Sequence, residues 1–272
     1  MEANSRIDVV PEPLAAALPA RCYAVVPCAG VGQRAGTAGP KQYARLAGQP
    51  VVAHTLAALA AVPSVTATLV VLAADDQTFE RSVPRFEGER AWVARCGGAS
   101  RAASVSNGLA QLRARGAADG DWVLVHDAAR CLVRPQWVQA LIDACRDDQV
   151  GGLLALPLAD TLKRAREPGR EPDHAPDHAP ARTRQGDPPR RPRVAATVPR
   201  ADKWLAQTPQ MFRLELLQRA LAAAGSDVTD EASAVEALGL APLLVPGDLE
   251  NFKLTWPADF ALAERLLETR PR

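Results

Sequence analysis

At 272 residues, 47% apolar and 23% charged, the chain has enough hydrophobic material for one sizeable α/β core with an appendage. A formal net charge of +1 provides no global basic field, so bulk attraction to nucleic acid or a membrane surface is excluded and any bound anion must be held by local groups. Cys22, Cys28, Cys96, Cys131 and Cys145 contain no CxxC pair, and no histidine stands at zinc-ligand spacing from them, so a reduced, cytoplasmic chain without a zinc site is expected.

The first twenty residues carry acids and prolines before a short LAAAL run, too weakly apolar for a signal sequence, and nothing elsewhere is long enough to span a bilayer. Residues 1–21 are therefore expected to be a flexible tail, with no membrane association. YAVVPC (23–28), TLVVLAA (68–74), WVARC (92–96), WVLVHD (122–127) and GGLLALP (151–157) are nearly continuous apolar runs, the pattern of strands covered on both faces. PVVAHTLAALAAV (50–62), RAASVSNGLAQLRAR (101–115) and PQWVQALIDACR (135–146) carry helical spacing between them. This alternation predicts a doubly wound, mainly parallel, Rossmann-like α/β sheet.

The rhythm breaks after residue 160. Residues 167–193 contain a tandem DHAP and are rich in proline and arginine; such composition cannot bury enough surface to offset its ordering entropy, and a mobile insertion is expected. Its flanks, LPLADTLKR and RVAATVPR, read as two extended legs, so residues 161–200 are expected to form a β-arm projecting from a core of 22–160 and 201–272. Helical spacing returns at 213–225, with Gly225 as C-cap, and at 230–239, and the chain closes with APLLVPG, FKLT and the helix PADFALAERLLE.

Ligands of open α/β sheets bind where strands end and loops begin. After the first strand, CAGVGQRAGTAGPK (28–41) places four glycines and the cations Arg34 and Lys41 in fourteen residues. Glycines let backbone N–H groups approach an anion and the cations supply charge. The spacing fits neither the dinucleotide fingerprint nor a P-loop. Gly97 and Gly98 let the backbone pass a flat ligand, while Ser100 and Ser104 each suit a helix cap. In VHDAAR (125–130), Asp127 at a strand tip suits a metal ion facing phosphates and Arg130 suits a phosphate clamp; an Asp–Arg salt bridge is the alternative. His126 is expected to be a hydrogen-bonded core residue. Thr229 reads equally as helix N-cap, and Lys253, from its residues alone, as a strand lysine facing solvent. One carboxylate and two cationic clusters suit phosphoryl or nucleotidyl transfer, which depends on positioning and charge rather than on a nucleophilic side chain.

Together VVPCAGVGQRAG, GPKQY, GGASRAASV, VLVHDAAR, DTLKR, TPQMF, TDEAS and NFKLT resemble the 2-C-methyl-D-erythritol 4-phosphate cytidylyltransferases over residues 22–269. The resemblance implies a nucleotidyltransferase that joins CTP to 2-C-methyl-D-erythritol 4-phosphate, with Mg²⁺, in the non-mevalonate isoprenoid pathway. It implies Arg34 and Lys41 as catalytic charge stabilisers, Ala29, Gly30, Gly98 and Ser104 as nucleotide contacts, and Asp127 as metal ligand. Arg130, Thr161, Arg200, Thr229 and Lys253 would orient the phosphorylated polyol beside Asp127. It further implies a homodimer in which Thr161 and Arg200 on the arm serve the neighbouring subunit's site. Cys28 and Cys131 depart from the family's usual residues without moving a charge. With no second catalytic stretch in the sequence, the single-function form is expected. Two rival readings are a ribitol 5-phosphate cytidylyltransferase, which shares the GPKQ and HDAAR stretches, and a non-catalytic nucleotide-binding regulator.

Overall fold

The computed structural model describes residues 20–30, 36–37, 39–166, 192–224 and 228–270. Residues 1–19 of the expected tail, 167–191 of the expected insertion, and Gly225, the expected C-cap, lie outside them. The first strand β1 (Cys22–Pro27) is followed by a minimal pair β2 (Arg45–Leu46) and β3 (Gln49–Pro50), then helix α1 (Val51–Ala60) and strand β4 (Ala67–Val71). Next come α2 (Phe79–Ser82), β5 (Ala91–Ala94), α3 (Arg101–Ala114), β6 (Trp122–Val125), α4 (Pro135–Cys145) and β7 (Gly151–Pro157). The chain continues through β8 (Leu162–Ala165), β9 (Val194–Val198), β10 (Trp204–Arg213), α5 (Leu214–Ala223), α6 (Glu231–Glu236), β11 (Leu243–Pro246) and α7 (Pro257–Thr269).

Seven strands form one sheet in the order β11-β7-β10-β6-β1-β4-β5. Pairing is parallel for β1 with β4 and β6, β4 with β5, and β7 with β11; β10 runs antiparallel to both β6 and β7. The sheet is thus mixed but mainly parallel, as expected. Its continuous apolar strands follow from cover on both faces. Cys22, Ala24, Val26, Trp122 and Leu124 pack with α1 and α4 on one side. Tyr23, Val25, Val123 and Val125 pack with α3, α5 and α6 on the other. Gly108 lets α3 approach closely, for a Cβ there would lie 2.8 Å from Val71 Cγ2 and 3.2 Å from Val25 Cγ1.

A third cluster, with Leu46, Val51, Ala129, Leu132, Leu254 and Ala263 at its centre, lies beneath α7 and fixes the loop after β6. β8 and β9 pair antiparallel as a separate two-stranded arm. The segment WLAQTPQMF (204–212), which carries a proline and polar residues, makes up nearly all of β10, exposed at its first three residues and buried from Gln207 to Phe212; its pairing with β7 shifts register between Ala206 and Gln210. FKLT, expected as a strand, has no regular structure, because Leu254 drops into the third cluster and its N–H donates to the Ala129 carbonyl at 2.9 Å.

Candidate active site

β1 and β6 lie side by side, and the chain winds from β1 outward through β4 and β5 before returning to β6 on β1's other flank. A crevice opens outside the carboxyl ends of strands at such a reversal. It receives Ala29 and Gly30 after β1, Gly97 and Gly98 after β5, and Asp127 and Arg130 after β6. Arg34 lies outside the described residues. A Cβ at Gly30 would meet nothing within 4 Å, whereas one at Gly97 would stand 2.4 Å from Ala29 Cβ, and one at Gly98 2.5 Å from Ala103 Cβ. Gly97 and Gly98 therefore serve the close approach of the protein's own chain, and Gly30 faces open space. Gln42, in the short turn after Gly39, donates to the Cys28 and Gly30 carbonyls at 3.0 Å each and ties that turn to the loop's start. Lys41 Nζ donates to the Leu254 carbonyl at 2.7 Å.

Asp127 is the centre of the charge arrangement. Its Oδ1 accepts from Arg101 Nε at 2.8 Å and its Oδ2 lies 2.7 Å from Lys253 Nζ. Burial alone would raise the carboxyl's pKa, but Arg101 and Lys253 pull it far below the usual carboxylate range. The Asp127–Arg130 pair, the alternative raised by the sequence, is the long one, at 4.0 Å. Lys253 departs from the solvent-facing reading: the inward turn of Leu254 sends the neighbouring lysine across to Asp127.

His126 is fully buried and holds this corner together, as its strand position predicts. Asp127 N–H donates to Thr208 Oγ1 at 3.0 Å, and that hydroxyl lies 3.1 Å from His126 Nδ1. His126 Nε2 lies 3.2 Å from the Arg130 carbonyl. The consistent neutral tautomer carries its proton on Nε2, donating to Arg130 and accepting from Thr208. Burial lowers the His126 pKa to about 4, so the imidazole stays neutral at neutral pH. Arg130 donates to the Asn251 carbonyl at 2.7 Å and the Ala206 carbonyl at 3.3 Å.

Ser100, not Ser104, caps α3, accepting from Ala103 N–H at 3.0 Å. Buried Ser104 accepts from Gly98 N–H at 3.0 Å and donates to the Ser100 carbonyl at 2.9 Å, which shapes the glycine turn. Thr229 is likewise not the cap of α6: Asp230 is, in a capping box with Ser233, and Thr229 stands exposed just before it. Thr161 and Arg200 are exposed on the arm, where Arg200 donates to the Ala159 carbonyl, rather than at the ends of β1 and β6. One chain therefore gathers Lys41, Asp127, Arg130 and Lys253 and leaves Thr161 and Arg200 apart on the arm.

Sequence reasoning missed Arg101 and Gln42; it marked Thr208 only as a polar candidate and Glu231 only as an acid in the TDEAS run (229–233). Arg101 had a signal: a cation at the first position of a helix opposes the helix dipole, so it marks a fixed anionic partner. That partner is Glu231, 130 positions away, whose two oxygens accept from Arg101 at 2.7 and 2.9 Å.

The donor set also bears on the metal. Both Asp127 oxygens already face cations, and no group of three or more His, Cys, Asp or Glu gathers among the described residues. Mg²⁺ takes one or two carboxylates and draws its other ligands from water and phosphates. The site fits a cation that arrives with a triphosphate and uses a remaining lone pair of Asp127, and does not fit a protein-caged ion.

A doubly wound sheet with cations gathered at its winding reversal is the architecture of an α/β nucleotidyltransferase. The sequence profile described as IspD: 2-C-methyl-D-erythritol 4-phosphate cytidylyltransferase matches residues 22–175 and 185–269, and the chain belongs to this family. It is 57% identical over 250 residues to the bifunctional enzyme IspD/IspF of Albidiferax ferrireducens, covering 92% of this chain and 54% of that protein. It is 49% identical over 250 residues to the 2-C-methyl-D-erythritol 4-phosphate cytidylyltransferase of Burkholderia multivorans, covering 91% of this chain and 96% of that one. A crystal structure of 4-diphosphocytidyl-2C-methyl-D-erythritol synthase superposes with a TM-score of 0.73 at 38% identity, covering 92% of this chain and 99% of that one.

Proposed function

We propose that the chain transfers the cytidylyl group of CTP to 2-C-methyl-D-erythritol 4-phosphate, giving 4-diphosphocytidyl-2-C-methyl-D-erythritol and pyrophosphate in the non-mevalonate isoprenoid pathway. Within its family, the observation that carries this reading is the gathering of Arg101, Lys253 and Arg130 around Asp127 at the crevice, with Lys41 held at the Leu254 carbonyl next to Lys253. Two phosphate-bearing reactants repel one another, and these cations lower that repulsion. An oxygen of the polyol phosphate attacks the α-phosphorus of CTP in line, the P–O bond to pyrophosphate breaks, and pyrophosphate leaves with the electron pair. Lys41, with Arg34 by family resemblance, stabilises charge at the α-phosphorus, an electrostatic role that needs no proton transfer. Ala29, Gly30, Gly98 and Ser104 line or shape the nucleotide side. Lys253 exchanges Asp127 for the polyol phosphate, Arg130 holds that phosphate from the other side, and Thr229 faces the polyol.

Asp127 would hold Mg²⁺, which supplies charge neutralisation on the triphosphate. A homodimer in the cytoplasm completes the reading: exposed Leu162 and Val194 on the arm, with Trp204 and Leu205 where β10 leaves the core, offer apolar surface to a second copy. That copy's Thr161 and Arg200 would then complete each site. Pyrophosphate release from CTP with methylerythritol phosphate, set beside ribitol 5-phosphate, tests the assignment. Release with the first and not the second is expected; the reverse preference overturns it.

A further inference from the structure

Glu231 is a carboxylate with 0% exposure at the start of α6, a position that no step of the reaction above employs. Its two oxygens are bound by the fork of Arg101, Nη1 to Oε1 at 2.7 Å and Nη2 to Oε2 at 2.9 Å, while Nε of the same guanidinium reaches Asp127 Oδ1 at 2.8 Å. The planar guanidinium serves both carboxylates at once, which a lysine's point charge cannot do. Three elements meet here: the start of α3 behind the glycine turn, the residue beyond β6, and the start of α6 next to Thr229. Lys253, Asp127's other close partner, is 37% exposed and free to exchange, whereas the Arg101 contact lies on the inner side.

We propose that Arg101 is a positioning residue that holds the Asp127 carboxylate when Lys253 leaves it, and that buried Glu231 serves to fix Arg101. The pair sets the separation between the nucleotide and polyol sides of the crevice. This rests on the reaction assigned above.

The test is the charge-neutral double variant Arg101→Gln/Glu231→Gln, which removes the buried carboxylate and its partly buried partner together and leaves neither unpaired. A thermal midpoint close to the parent's, with kcat lowered at least tenfold and KM for CTP changed less than threefold, is expected; recovery of kcat along with stability overturns the proposal. If the double variant does not fold, Arg101→Lys decides: it keeps the charge and loses the fork, and kcat within twofold of the parent overturns the proposal. Silence of the parent itself in the pyrophosphate assay counts against the assigned reaction only. Crystal structures of the parent and Arg101→Lys then decide the positioning role independently: an Asp127 carboxylate displaced by more than about 1 Å supports it, and one left in place overturns it.

Discussion

The Lys41 ammonium is anchored at the Leu254 carbonyl, beside the crevice, on a turn braced by Gln42. In the proposed role Lys41 acts mainly on charge that builds during reaction, so Lys41→Ala should lower kcat by about 10²–10³ while CTP affinity, measured by calorimetry, changes far less. His126 makes a second prediction. Burial lowers its pKa from the ordinary 6.5 to about 4, so between those values the unfolded chain binds more protons than the folded one. Stability then rises with pH across this window and falls on acidification, by at most about 1.4 kcal/mol per pH unit. Asp127 acts lower: its depressed carboxyl contributes stability fully above an unfolded value of roughly 3.9 and loses it as the pH falls further. Thermal midpoints of the ligand-free protein should drop from pH 6.5 toward 4, and His126→Gln should flatten that slope.

The elements pack because particular side chains are missing as much as because others are present. In Gly108→Val a Cβ 2.8 Å from Val71 Cγ2 forces α3 off the sheet, with an expected loss of about 1–3 kcal/mol in chemical denaturation. Gly120→Ala, where a Cβ meets nothing within 4 Å, should change stability by less than about 0.5 kcal/mol. At this scale much was legible in the sequence. β1, β4, β6 and β7 announced themselves as unbroken apolar runs, since burial on both faces leaves no polar alternation. β10 was harder to place, because Gln207, Thr208 and Gln210 are polar yet buried: their side chains satisfy the loops around the crevice instead of water. FKLT misled, because its direction is set by where Leu254 packs, a tertiary fact. The candidate site divides likewise. Lys41, Asp127 and Arg130 stood in recognisable loops, but the meeting of Arg101 with Glu231 needed the fold to close a separation of 130 residues.

Taken as a whole, the molecule keeps Lys41 at the crevice and Arg200 on an arm, which gives the dimer reading a direct test. Lys41→Ala and Arg200→Ala homodimers should each be nearly inactive. Mixed under confirmed subunit exchange at equal amounts, about half the dimers become heterodimers, and about a quarter of all sites carry neither lesion, so activity returns. If both residues serve one site within one chain, every site keeps a lesion and none returns. The arm also has mechanical meaning. β7 and β10 are paired from Gly151 and Phe212 in the sheet out to Pro157 and Trp204 at the arm's neck, a stiff two-stranded lever. Its fulcrum is the slip in register between Ala206 and Gln210. Here the Ala206 carbonyl accepts from Arg130 and Thr208 Oγ1 accepts from the Asp127 N–H. A torque applied to the arm from outside would therefore reach Arg130 and Asp127, the two residues proposed to face the phosphates.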